Sequence, residues 1–303
     1  MLNVLHYPFI QNALFAGTFV AVVAAIAGYF LIARGLTFAG HALPNIGFAG
    51  AAGAVLLGVD PVFGLFAFTI CAAVGIALLG REIRERDITI GILMTFALGL
   101  GLMFLSLYSG YAERVYSILF GTILGISQLD VLVMAVVSLL VIATICALFR
   151  PLLFSSFDPE VAQARGVPVR MLAVVFLALV AITVSVAVQI VGALLVFVLL
   201  VGPAATAMRI VQRPLWIILI AVALGVGYTW LGIVLAAVNG SWPVSFYIAT
   251  IAFVIYLPVR LLSPLWIGRG TRRNIGGGPE NRANETEHVT AARRDNDVST
   301  LPA

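Results

Sequence analysis

Charges and turn-forming residues cut the chain into a series of apolar runs, and the lengths of those runs are its clearest pattern. A membrane-crossing helix needs about 20 predominantly apolar residues. Nine segments approach that length: 9–33, 36–58, 61–80, 88–108, 128–149, 171–190, 193–208, 215–238 and 244–261. The pattern therefore predicts an all-α polytopic membrane protein. The run from Met171 to Met208 carries no charge, yet as one helix it would be about 57 Å long at 1.5 Å per residue. It must fold back, and its least apolar point is Gln189 to Gly192. Gly202-Pro203 predicts a break near the end of the second half. VYSILFGTILGI at 115–126 is too short to cross and reads as a re-entrant or interfacial segment, with Tyr108, Tyr111 and Tyr116 suited to a membrane boundary.

One apolar run is interrupted in an unusual way. Residues 40–53, GHALPNIGFAGAAG, contain an imidazole, an amide, a proline and four glycines. Polar side chains and helix breakers persist at membrane depth where they face a bundle interior or a water-filled path. His41 and Asn45 are four apart, so a helix stacks both on one face, where a small ligand could be held. The other reading is that the glycines permit close packing and His41 satisfies a neighbouring carbonyl. Counted from Arg34, Asn45 lies about 16 Å along a helix, near mid-bilayer.

Between the fifth and sixth runs, SFDPEVAQARGVP is punctuated as a short helix. Asp158 suits the N-cap, Pro159 the first helical position, Glu160 the positive end of the dipole, Arg165 the negative end and Gly166 the left-handed terminator. Such a helix could lie on the membrane surface, or dock in a groove of a partner and pass movement to the spans on either side. Residues 264–303, with GGGPENRANETE, six arginines and five acids, read as a disordered tail following a transmembrane domain of residues 1–263.

Composition narrows the function. The chain is 62% hydrophobic and 10% charged with a mean hydropathy of +1.13, against about 25% charged in soluble domains. All 17 basic residues are arginine. Without lysine there is no Walker A loop and no Schiff-base chemistry, so any ATP hydrolysis must come from another chain. The basic balance reflects topology rather than nucleic-acid binding: placing the N-terminus outside puts Arg34, Arg81, Arg84, Arg86, Arg150 to Arg170, Arg209, Arg213, Arg260 and the tail on the inner side, with Arg114 alone outside. MLNVLHYPFIQN has no basic n-region, so the first run is expected to remain as a span. Cys71 and Cys146 are read as buried small hydrophobes; Met94, Met103 and Cys71 could add soft donors to a metal but are read first as core.

Taken in order, five stations resemble the permease subunits of ABC-type zinc and manganese importers: the Gly-His-Ala-Leu opening of the second span, DITIGILMTFALGLG from Asp87, LFGTILGISQLDV from Leu119, FDPEVAQARGVPV from Phe157 and VGALLVFVLLVGPAATA from Val191. The resemblance runs from about Arg34 to Arg260. It implies a multi-pass protein of a prokaryotic inner membrane, working as a homodimer with two cytoplasmic ATPase subunits and an extracytoplasmic metal-binding protein. It implies no tightly bound cofactor. The helix from Asp158 to Arg165 then looks like the coupling helix seated on the ATPase, with Asp158, Glu160, Arg165 and Gly166 as its coupling residues.

The family's second span usually carries a pattern like GDALSHAVLPG, whose aspartate and histidine are the presumed metal ligands in the pathway. Here those positions are His41 and Asn45, Pro44 replaces the serine, and Ala49 stands where a proline is usual. An imidazole and an amide carry no charge, which disfavours hard ions such as Mn²⁺. Zinc accepts nitrogen but usually takes three or four ligands. The expectation is an importer of a divalent transition metal, zinc before manganese, with a metal chelate as the alternative cargo. An ATP-independent channel or carrier is disfavoured because no membrane-embedded acid appears for ion coupling. An intramembrane enzyme is last, since no catalytic signature is present.

Asp60 and Asp130 read as caps at span ends. Gln189 would bond carbonyls of the turn or line the pathway with Pro203. Gly47 with Gly50, and Gly121 with Gly125, suit close helix crossings.

Overall fold

A computed structural model describes residues 7–79, 83–108, 119, 121, 126–193, 195–239 and 242–271. Contacts divide the chain into two units, Met1–Leu257 and Pro258–Ala303. Among the described residues all regular structure is helical: α1 (Pro8–Ala33), α2 (Thr37–Leu56), α3 (Pro61–Leu79), α4 (Ile83–Leu107), α5 (Gln128–Ala147), α6 (Phe149–Phe157), α7 (Pro159–Ala164), α8 (Val169–Val191), α9 (Val196–Ile210), α10 (Pro214–Asn239) and α11 (Val244–Thr271). Described residues of the second unit continue α11 as far as Thr271. The expected tail residues 272–303 lie outside the described residues, as does nearly all of the expected re-entrant segment at 115–126.

Among the described residues, seven helices are long and apolar enough to cross a membrane: α1, α3, α4, α5, α8, α10 and α11. The two further segments expected to span are α2 and α9. The first is diluted by His41, Pro44, Asn45 and four glycines, and the second has only 15 residues, about 22 Å of helix against a hydrocarbon core of about 30 Å. These two helices pack against each other and against α1 and α8. Burial explains how such sequences are tolerated, because backbone and polar groups sheltered from lipid can be satisfied by protein.

The helices α1 and α8 form the centre, each 67% buried over its most apolar stretch, whereas α4 is 17% buried and faces outward. Alanines at 13, 16, 21, 24, 25 and 27 let α1 be approached closely, and it packs on α5, α8, α9 and α10. At Gly28 the approach is closest: a Cβ would overlap the Leu200 carbonyl of α9. The pairing of α2 with α3 repeats this device, since a Cβ on Gly50 would overlap the Gly64 carbonyl and one on Gly64 the Gly50 carbonyl. Small residues replace hydrophobic pressure as the means of bringing helices together in lipid.

Helix ends follow local chemistry. Asp60 Oδ1 accepts the Val62 N–H at 2.9 Å, and Ser127 with Asp130 forms a reciprocal capping box at the start of α5, as expected for both acids. Gly35, at φ 64°, closes α1 in a Schellman motif, with Leu36 N donating to Leu31 O at 2.8 Å and Gly35 N to Ile32 O at 3.0 Å. The fold-back expected at Gln189–Gly192 occurs there: α8 stops at Val191 and Gly192 takes φ 86°.

Three expectations are corrected. Pro203 lies inside an unbroken α9, because tertiary packing on α1 and α10 holds the helix across the missing hydrogen bond. Cys71 and Cys146 are exposed; in a bilayer an apolar residue gains nothing from facing the core rather than lipid, so apolarity alone did not fix their side. Met103 is 47% exposed on α4 for the same reason.

Candidate functional site

The first half of α2 carries the candidate site. Thr37 to Leu56 is helical through Pro44, and the 3.6-residue period sets Asn45 one turn beyond His41. Asn45 is only 8% exposed. Its Nδ2 has two hydrogens, and two acceptors meet them: the His41 carbonyl at 2.8 Å and Met94 Sδ of α4 at 3.9 Å. Oδ1 is consequently the atom of the amide left to serve a ligand. Met94, expected as core with a soft-donor role as the alternative, packs partly buried against the core and orients the amide by a weak contact.

His41 is half-buried between two aromatic rings, Phe38 at 6.5 Å on its own helix and Phe197 of α9 at 5.4 Å edge to face. The two helices too polar or too short to resemble ordinary spans thus meet at the imidazole. Behind them, Thr69 of α3 and Ser185 of α8 are fully buried with hydroxyl oxygens 2.7 Å apart, and Gly47 lies against Thr69. This polar seam fixes the helices that support α2.

Chemically the site offers one imidazole and one amide oxygen from a single chain, with a thioether beside them. Among the described residues no three His, Cys, Asp or Glu side chains gather as a metal-binding group. Such a donor set is too sparse in one chain to hold a divalent ion tightly.

Other predicted residues lie elsewhere. Gln189 is half-buried and its Nε2 donates to Ser185 O at 3.3 Å, one turn back on its own helix rather than to the turn that follows. Pro203 is buried in α9. The α7 residues form the capped helix expected: Asp158 Oδ1 accepts Val161 N–H at 3.0 Å, Pro159 starts the helix, Glu160 sits in its first turn and Arg165 caps its end. Gly166 has φ 85° and completes the same terminating motif as Gly35, with Val167 N donating to Ala162 O at 3.0 Å.

Together, a bundle of membrane-length helices, polar residues inside the buried helix α2 and a separate capped surface helix are the features of a multi-pass membrane protein. The family model for the ABC 3 transport family matches residues 6–263, and the chain belongs to that family. It is 35% identical over 231 residues to the manganese import system permease protein ScaB of Streptococcus gordonii, covering 75% of this chain and 82% of that protein. With the manganese transport system membrane protein MntC of Halalkalibacterium halodurans it shares 33% identity over 212 residues, 70% and 73% of the two chains. Among solved structures, PsaBC from Streptococcus pneumoniae in complex with Fab superposes with a TM-score of 0.76 at 28% identity, covering 85% of this chain and 93% of that one.

Proposed function

We propose that this chain is the membrane-spanning permease subunit of an ABC importer that moves a divalent transition metal by alternating access. The observation that carries the reading is the position of His41 and Asn45, one turn apart on α2 of a chain that the family model matches over residues 6–263. ATP would be hydrolysed on separate cytoplasmic subunits, consistent with the absence of lysine, and α7 is their docking element. A second copy completes the path. Ile88, Ile92 and Phe96 are exposed on the side of α4 opposite the face that supplies Met94 and give a second copy an apolar surface to pack on. The N-terminus lies outside and the C-terminus inside, by the arginine distribution, and an extracytoplasmic binding protein delivers the ion.

The order zinc before manganese rests on donor chemistry, while the relatives named above are called manganese transporters. A dimer would offer two imidazoles and two amide oxygens, which zinc accepts more readily than manganese does. A metal chelate is the second reading, favoured by the lack of any carboxylate at positions 41 and 45. The direct test purifies the chain with its ATPase and measures uptake of a panel of ions into proteoliposomes. Co-purification and metal-stimulated hydrolysis are expected; an isolated chain that neither recruits nor responds to an ATPase would overturn the reading. Installing His41→Asp together with Asn45→His should raise manganese uptake relative to zinc by about tenfold, the scale of one good ligand contact. An unchanged ion ratio would refute the selectivity argument.

A further inference from the structure

A half-buried arginine touches both elements that flank α7. Arg34, the residue that caps α1, donates from Nε to Ser156 Oγ at 3.2 Å and from Nη2 to Ser155 Oγ at 2.5 Å, both on α6. Those hydroxyls in turn donate to Leu152 O at 2.6 and 3.1 Å, so their lone pairs are presented to the guanidinium in a polarised chain. The guanidinium carbon also sits 5.3 Å from the centre of the Phe176 ring on α8. At the same end of α6, one residue before the serine pair, the Phe154 ring lies 5.9 Å from Arg165 of the α7 cap. The turn that follows Arg34 is held from a third side, because Arg86 of α4 donates to Gly35 O at 2.9 Å.

Sequence logic explains why this is not routine packing. Arginines at span ends normally reach water and set topology, yet Arg34 is buried deeply enough to draw its pKa down to about 10. It stays charged at neutral pH. Its Nη1 is buried with no hydrogen-bond partner, an arrangement that a donor-rich guanidinium tolerates poorly. A half-buried cation whose donors are incompletely met in one arrangement has room to exchange partners in another, which is what an element with two states requires. The chain from Arg34 to the site is short: Gly35 opens the turn into α2, and His41 is six residues farther on.

We propose that Arg34 is the positioning residue that transmits movement of the Pro159–Ala164 helix to the helix bearing His41 and Asn45, by tying α6 and α8 to the α1–α2 turn. This rests on the ATPase-driven reading of the chain. In the parent, seating of the ATPase on α7 pulls α6, and the serine pair carries that displacement to Arg34 and the base of α2.

The test uses the full chain assembled with its ATPase. Arg34→Met removes the donors at similar length, Arg34→Lys keeps the charge, and Ser155→Ala with Ser156→Ala removes the acceptors while leaving Arg34 in place. Arg34→Met is expected to lower metal transported per ATP hydrolysed by about tenfold, within the usual range of inter-site coupling, with the complex still assembled and hydrolysing. The serine double variant should reproduce the loss and add little to Arg34→Met, and Arg34→Lys should recover part of it. Hydrogen exchange supplies a readout independent of cargo: ATPase binding should alter protection at residues 35–40 in the parent, and at 155–157 alone in Arg34→Met. Parental transport per ATP in both Arg34→Met and the serine variant, or unchanged protection at 35–40 when the ATPase binds the parent, would overturn the proposal. Failure of any ATPase to bind the parent would instead strike at the transporter reading itself.

Discussion

Gly28→Ala should leave little folded protein in the membrane. A methyl group there would overlap the Leu200 carbonyl and approach the Leu200 carbonyl carbon at 2.8 Å. Overpacking typically costs about 1–3 kcal/mol where side chains can yield, but the obstacle here is backbone on α9, so the two helices must separate. That separation would also disturb the neighbouring buried residues Leu199 and Val201 of α9, and through α9 the Phe197 ring beside His41. The control is Gly75→Ala on α3, where an added Cβ meets nothing within 4 Å and alanine is the better helix former. Size-exclusion profiles and thermal stability in detergent distinguish the two. Parental yield and stability for Gly28→Ala would mean that α1 and α9 do not meet as described.

That contact illustrates what could and could not be read from the chain. Helix positions were legible because lipid permits few solutions: α1, α3 and α10 begin and end within a residue or so of the apolar runs at 9–33, 61–80 and 215–238. The α7 caps were equally legible, since Asp158, Pro159 and Gly166 act through local geometry. Helix α6 went unseen. FRPLLFSSF carries an arginine and a proline near its start and two serines near its end, and those serines make sense only with Arg34, 121 and 122 residues away. Rotational choices were illegible too, because Cys71, Cys146 and Met103 are as comfortable against lipid as against protein. The site was half legible. Polarity at membrane depth marked His41 and Asn45, but their setting between Phe197 and Met94 depends on how three helices cross.

His41→Ala should lower metal uptake by about tenfold or more, the scale seen when a group supporting a metal is lost, while leaving the protein assembled. In a dimer the substitution removes both imidazoles at once, and no cluster of His, Cys, Asp or Glu among the described residues stands ready to replace them. Alanine alone would not settle the role, because His41 also packs edge to face on Phe197 and near Phe38, and a small side chain leaves a gap there. His41→Phe resolves the ambiguity. It keeps an aromatic ring in contact with its neighbours and removes only the ligand nitrogens, so a pathway role predicts uptake as low as in His41→Ala with stability close to the parent's. Asn45→Leu should act in the same direction, since it fills similar volume but takes away the amide oxygen that the contacts to His41 O and Met94 Sδ leave free. Uptake and metal-stimulated ATPase activity decide it together. Parental transport in His41→Phe would reduce the imidazole to a packing element and move the ion path away from α2.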